Sequence, residues 1–205
     1  MPMTPATLGA FVRRDNPCIK GTIFKPVASE IAVMLADGRI DRDDLRAHLK
    51  PDDEIFLKRE TAISNWYPID IYERLARLLA AVRGDGSAEF SIEAGRRSAE
   101  RVGELGIYSQ LDERTRETWA DETGRILITL AGSFFNFGHW EWLGLEGDGF
   151  EVEVTEAAPM PEIVVHGTQG FIEYLACRAA GGTVAVTHER SPDGDRIRFR
   201  AQRVG

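Results

Sequence analysis

The residue types that could do chemistry in this chain are few and scattered. Four histidines stand at His48, His139, His166 and His188, and two cysteines at Cys18 and Cys177. No two histidines are three or four residues apart and no cysteine joins them locally. A metal centre built from them would require convergence from distant parts of the chain. His139 and Glu141 share one face of a candidate strand, a spacing that suits either an acid–base dyad or an exposed polar pair at a sheet edge. His166 falls in a candidate helix beside Gly167 and Gly170 and reads as a satisfied core histidine. Cys177, among Leu175, Ala176 and Ala179, reads as a small hydrophobe. Its neighbour Arg178 points to a different helix face and does not activate the thiol. Cys18 belongs to an N-terminal stretch in which it is expected to be accessible. The strongest compositional feature is aromatic: FFNFGHWEW places Phe134, Phe135, Phe137, Trp140 and Trp142 within nine positions. Such a cluster can line an apolar pocket, fill a core, or form a dimer face. Phe134, Phe137, Trp140 and Trp142, with Phe171 from the glycine-bearing helix, are the candidate ligand-binding residues.

The elements that must position these residues follow from periodicity. Residues 1–17, with two prolines in the first ten positions, read as a flexible leader, and 18–205 as a single α+β domain. CIKGTIFK is expected to be a short strand or extended arm, with a helix from Pro26 to Ala36. IDRDDLRAHL reads as a helix stopped by Pro51, and residues 52–65 fit helix or loop. After WYP at Trp66–Pro68, the stripe Ile71, Leu75, Leu78, Leu79 and Val82 marks an amphipathic helix. Further helices are expected over SAEFSIEAGRRSAERVGEL and over LDERTRETWADETGRILITLAGSFFNF. The chain then changes character. Trp140 and Trp142, then Phe150, Val152 and Val154, alternate around a GDG turn as in a β-hairpin. A helix opened by Pro161 and ended by Gly181 and Gly182 follows. A second hairpin is read from Val184, Val186, Ile197 and Phe199 around SPDGD. Helices followed by an antiparallel sheet of about four strands with an inserted helix make an α+β fold. Gly167 and Gly170, costly inside a helix by about 1 kcal/mol each, are read as sites of close packing in preference to room for a ligand.

Composition narrows the function. With 205 residues, 25 Lys and Arg against 33 Asp and Glu, and a net charge of −8, the chain lacks the clustered cations that nucleic acid or an anionic membrane requires. No apolar run approaches the roughly 18 residues of a membrane span, and the N-terminus lacks a signal-peptide core. Two widely spaced thiols suit a reducing cytoplasm. A dinucleotide fingerprint, a local metal cluster and a nucleophile elbow are all missing from the sequence. The expectation is a non-enzymatic protein, with no cofactor named.

GTIF at Gly21–Phe24, NWYP at Asn65–Pro68 with the helix IDIYERLARLL, and the terminal helix–hairpin resemble a family of uncharacterised proteins largely restricted to myxobacteria. The resemblance covers about residues 18–203 and implies a bacterial protein. FEVEVTEAAPMPEIVVHGTQGFIEYLACRAAGGTVAVTHERSPDGDRIRFRAQ is more distantly similar to the superfamily of 4-vinyl-reductase-type domains, haem–nitric-oxide-binding domains and Bet3-like transport-particle subunits. That similarity implies an internal pocket for an apolar small molecule, a tetrapyrrole or an acyl chain, and a tendency to form a homodimer. Two departures limit it. The haem branch uses Tyr-x-Ser-x-Arg, whereas Tyr108 here is followed by Ser109, Gln110, Leu111 and Asp112, so no haem ligand is carried over. Cysteines common around the final hairpin of the 4-vinyl-reductase-type domains are missing after Arg178. The expected function is a sensor or adaptor that binds a small apolar ligand and signals through a protein partner, or, alternatively, a dimerisation module without ligand.

Overall fold

The structure, a computed structural model, describes residues 16–104, 106, 119–144 and 148–204. Most of the expected leader, residues 1–15, lies outside the described residues, as does Tyr108. The described residues form two compact units, one of those within 16–87 and 133–137, the other of those within 88–132 and 138–204.

In the first unit, strand β1 (Cys18–Lys20) pairs antiparallel with β2 (Trp66–Pro68), Ile19 facing Tyr67. Helix α1 (Gly21–Ala36) begins directly after β1. The expected extended arm is therefore three residues long, and the helix starts five residues earlier than Pro26. Gly21 permits the early start: its N–H donates to Asn65 O at 2.8 Å, and a methyl there would overlap the Ala62 carbonyl. Pro26 sits inside the helix and gives up only the backbone bond to Thr22. Helix α2 (Arg42–His48) is opened by a reciprocal Asp41–Asp44 capping box. A 3₁₀ turn (Pro51–Glu54), a single helical turn α3 (Ile55–Lys58) and a loop occupy the stretch that fitted helix or loop. Helix α4 (Ile69–Gly84) buries Leu75, Leu78 and Leu79, as its stripe predicts.

The core of this unit is aromatic. Phe24 is fully buried, stacks on Tyr67 at 4.3 Å and meets Phe56 edge-on at 5.6 Å. Tyr67 fastens the loop by accepting from Ala62 N–H at 2.9 Å and donating to Ala62 O at 3.2 Å. Cys18 is fully buried rather than accessible, a correction to the sequence reading. Its strand pairs with β2, and its N–H donates to Asn136 Oδ1 at 2.5 Å. Burial, and then the charge of Asp70, push its thiol up, so it is an inert core side chain.

In the second unit, α5 (Ala88–Glu104) and α6 (Trp119–Phe134, whose last two residues belong to the first unit) precede the hairpin β3 (His139–Gly144) and β4 (Gly149–Thr155). Helix α7 (Glu162–Ala180) and the hairpin β5 (Val184–Arg190) and β6 (Ile197–Arg203) complete it. The antiparallel sheet has the order β3-β4-β6-β5, and the α+β architecture is the one expected. Phe150, Val152 and Val154 of β4 and Ile197, Phe199 and Ala201 of β6 fill the buried face. Alternate residues form a charged ladder on the other face, with Glu151 opposite Arg200 and Glu153 opposite Arg198.

Helix α7 packs on α5 at backbone distance. A methyl on Gly95 would overlap the Gly167 carbonyl, and one on Gly170 would overlap the Ile92 carbonyl. Gly170 thus serves close packing, as the sequence suggested, whereas Gly167 has room for a Cβ and it is Gly95 of α5 that makes way for its carbonyl.

Candidate metal centre

Glu162, His166 and Gln169 fall at i, i+4 and i+7 on α7, one stripe of the helix. Pro161, extended at the N-cap, places Glu162 at the first helical position. The short connection after Gly181, which takes the left-handed conformation with φ of 61°, returns the chain as β5 and sets His188 against that stripe. The donor atoms of Glu162, His166 and His188 all lie within 4.8 Å of one another.

His188 is held from both sides. Its Nδ1 lies 2.7 Å from Gln169 Oε1 and its Nε2 3.0 Å from Glu162 Oε1. Gln169 Nε2 donates to Val186 O at 2.8 Å, which turns Oε1 towards the ring, so Nδ1 carries the proton and donates. Nε2 then faces the Glu162 carboxylate oxygen. His166 Nε2 stands 3.9 Å from the same Glu162 oxygen, and its ring meets His188 edge-on at 5.2 Å. The other Glu162 oxygen accepts from Arg190 Nε at 3.2 Å, and Arg190 is anchored on Met160 O at 2.6 Å and Gly194 O at 2.9 Å. Burial alone would raise the Glu162 carboxyl, but the hydrogen bond from His188 and the charge of Arg190 hold it below the usual range. Burial and then the nearby His188 lower His166, which favours its neutral, ligating form at neutral pH. The Glu162 side chain is about half exposed, while His166 and His188 are 23 % and 15 % exposed, so the cluster is reachable from solvent.

Spacing among histidines and cysteines alone misses this cluster. Half of it is legible: Glu162 and His166 are an i,i+4 carboxylate–imidazole pair. His166, read as a satisfied core histidine, is a half-buried member of this polar cluster.

The predicted ligand-binding residues are distributed over both units. Phe134 and Phe137 belong to the first, where Phe134 is buried and Phe137 meets Phe135 edge-on at 5.6 Å. Trp140, Trp142 and Phe171 belong to the second. Trp140 lies parallel to Phe199 at 6.4 Å, and Phe171 is buried on α7. The indole of Trp142 rests directly on Gly124 of α6, where any side chain would overlap it. Its buried Nε1–H has no hydrogen-bond partner among the described residues. His139 and Glu141 are both exposed on β3, the plain reading of an edge-strand polar pair. Cys177 accepts a hydrogen bond from Val184 N–H at 3.3 Å and is structural.

No family model matches the chain, and no curated protein does. Solved structures do. An unliganded Fe(II) H-NOX point mutant from K. algicida aligns with a TM-score of 0.63 at 13 % identity, covering 91 % of this chain and 97 % of that one. A T. Tengcongensis H-NOX point mutant aligns with a TM-score of 0.61 at 14 % identity, covering 91 % and 98 %. An oxygen-binding H-NOX domain related to soluble guanylate cyclases, in its oxygen complex, aligns with a TM-score of 0.56 at 16 % identity, covering 91 % and 96 %. The α+β architecture of this chain is thus similar to the H-NOX fold along nearly its whole length.

Proposed function

We propose that the protein is a non-enzymatic sensor or adaptor domain that binds a small, largely apolar ligand and reports its presence to a protein partner. The observation that carries this reading is the buried indole N–H of Trp142, which has no acceptor among the described residues. An unsatisfied buried donor costs about 1–3 kcal/mol, and a ligand carbonyl or similar acceptor removes that cost. Trp140 and Phe171, which belong to the same unit as Trp142, are the accompanying apolar ligand contacts in this proposal. The likeness to H-NOX folds supports a sensor role. A cytoplasmic location, a homodimer and membership of the uncharacterised myxobacterial family belong to the same proposal. Among the described residues no helix is long and apolar enough to cross a membrane.

The described residues single out no axial ligand for the haem named for the H-NOX family. Haem iron takes a protein axial ligand, commonly histidine. His48 has its Nδ1 3.0 Å from Asp44 O and sits at the end of a seven-residue, mostly exposed helix, and His139 is exposed. His166 and His188 face each other too closely for a macrocycle to lie between them. No step through haem is therefore assigned.

Native mass spectrometry of the freshly purified chain, compared with the denatured chain, tests the proposal. A small-molecule mass that is lost on denaturation is expected. Phe171→Trp, which fills space beside the ligand, is expected to abolish that mass while leaving the circular dichroism unchanged. Trp142→Phe is expected to weaken retention about fivefold to tenfold, the worth of one hydrogen bond. A clean mass at twice the monomer, with no ligand, would instead establish a dimerisation module.

A further inference from the structure

We infer that Glu162, His166 and His188 form a binding site for a divalent transition-metal ion of the zinc class, separate from the apolar-ligand reading above. Two imidazoles and one carboxylate are the donor set that such borderline ions take, with the fourth tetrahedral position left to water or an incoming ligand. Bonds of 2.0–2.1 Å put neighbouring ligand atoms about 3.3–3.5 Å apart in a tetrahedron. Glu162 Oε1 stands 3.0 Å from His188 Nε2 and 3.9 Å from His166 Nε2, on either side of that value. The His166 and His188 nitrogens lie within 4.8 Å of each other, and the set closes when the partly exposed His166 ring turns towards the other two donors.

What separates this cluster from a chance surface grouping is its outer support. Ligating histidines characteristically donate their second ring N–H to a fixed oxygen, which sets the tautomer and aims the free nitrogen. His188 does this to Gln169 Oε1, and Gln169 is itself fixed by its bond to Val186 O. Arg190 occupies the second oxygen of Glu162 and leaves one oxygen for a monodentate bond. Helix and strand are thereby pre-arranged around a point where a carboxylate oxygen and an imidazole nitrogen face each other at 3.0 Å.

The test uses the untagged full chain, stripped with a chelator and dialysed against Zn²⁺, with Co²⁺ as a spectroscopic probe. Uptake of one equivalent of either ion is expected, with intense visible Co²⁺ bands of a tetrahedral site and no sulfur-to-metal charge transfer. His188→Gln and Glu162→Gln are each expected to abolish stoichiometric uptake. Gln169→Leu keeps all three ligands and is expected to weaken binding about 10–100-fold. His139→Gln is expected to bind as the parent does. Should a variant misfold, histidine ring resonances of the parent decide the matter: Zn²⁺ is expected to shift His166 and His188 and leave His48 and His139 in place. Sulfur-to-metal bands, uptake that survives both ligand variants, or no uptake by the folded parent would each overturn the site, the last leaving a proton as the cation between His188 and Glu162.

Discussion

Gly170→Ala is expected to be the most damaging single-methyl change in the second unit, while Gly167→Ala, three residues away on the same helix, is expected to be harmless. The difference lies in what each new Cβ meets. At Gly170 it would overlap the Ile92 carbonyl of α5, a backbone atom that cannot swing aside. Helices α5 and α7 would have to part along their contact, loosening the packing around the buried Ile92 and Ala99. Overpacking a rigid contact typically costs 1–3 kcal/mol, and a backbone collision belongs at or above the top of that range, about 3 kcal/mol. At Gly167 the Cβ would meet only Ser91 O at 3.8 Å, an ordinary contact. There the gain in helix propensity, about 1 kcal/mol, is free to appear as added stability. Gly95→Ala on the facing helix is expected to resemble Gly170→Ala, because its methyl would strike the Gly167 carbonyl. Urea unfolding of the three variants measures all of this. Equal effects at Gly167 and Gly170 would show that helix propensity, and not backbone approach, governs the pair.

This contrast also shows where the sequence stops being legible. Two glycines inside a good helix announce close packing, but not which one presents its missing side chain and which its carbonyl; that depends on the rotation of α7 against α5. Hydrophobic periodicity is a local property, and what it encodes came through: the Leu75–Leu78–Leu79 face of α4, and both hairpins with their period-two alternation. The start of α1 did not, because Gly21 is required by the approach of Ala62, forty-one positions along the chain. The aromatic cluster was legible as a composition, and Trp140 and Trp142 as neighbours on one strand face. That Trp142 rests on Gly124 and has an N–H without a partner among the described residues was not, since a contact across elements has no local period. The polar cluster is intermediate. Glu162 and His166 are an i,i+4 pair in plain sight, whereas His188 joins them only through the register of β5 on α7.

Arg74→Met is expected to destabilise the first unit by about 3–5 kcal/mol, the cost of leaving a buried charge without its partner. Asp53 is 2 % exposed and receives two bonds from the Arg74 guanidinium, Nε to Oδ2 at 2.6 Å and Nη2 to Oδ1 at 2.9 Å. Its Oδ2 also accepts from Lys50 N–H at 2.9 Å, so the carboxylate ties the 3₁₀ turn to α4. Burial by itself would raise the Asp53 carboxyl, but the Arg74 fork and the Lys50 N–H outweigh it and hold the group below its ordinary value. A folded-state value below the unfolded one means that the pair contributes its full stability above the unfolded value, near 3.9, and loses it as pH falls through the lowered folded value. The parent is therefore expected to lose stability on acidification through this window. In Arg74→Met the burial contribution remains and the fork is gone, so the Asp53 carboxyl rises, and protonation relieves the stranded charge. The variant is expected to be much less stable than the parent at neutral pH and to approach it as the solution becomes acidic. Asp53→Asn, with no charge to strand, is expected to show neither the full loss nor the pH dependence. Denaturant midpoints of the three proteins measured from pH 7 to pH 3 check the sign: a gap between parent and Arg74→Met that stays constant with pH would show that the guanidinium acts by packing alone.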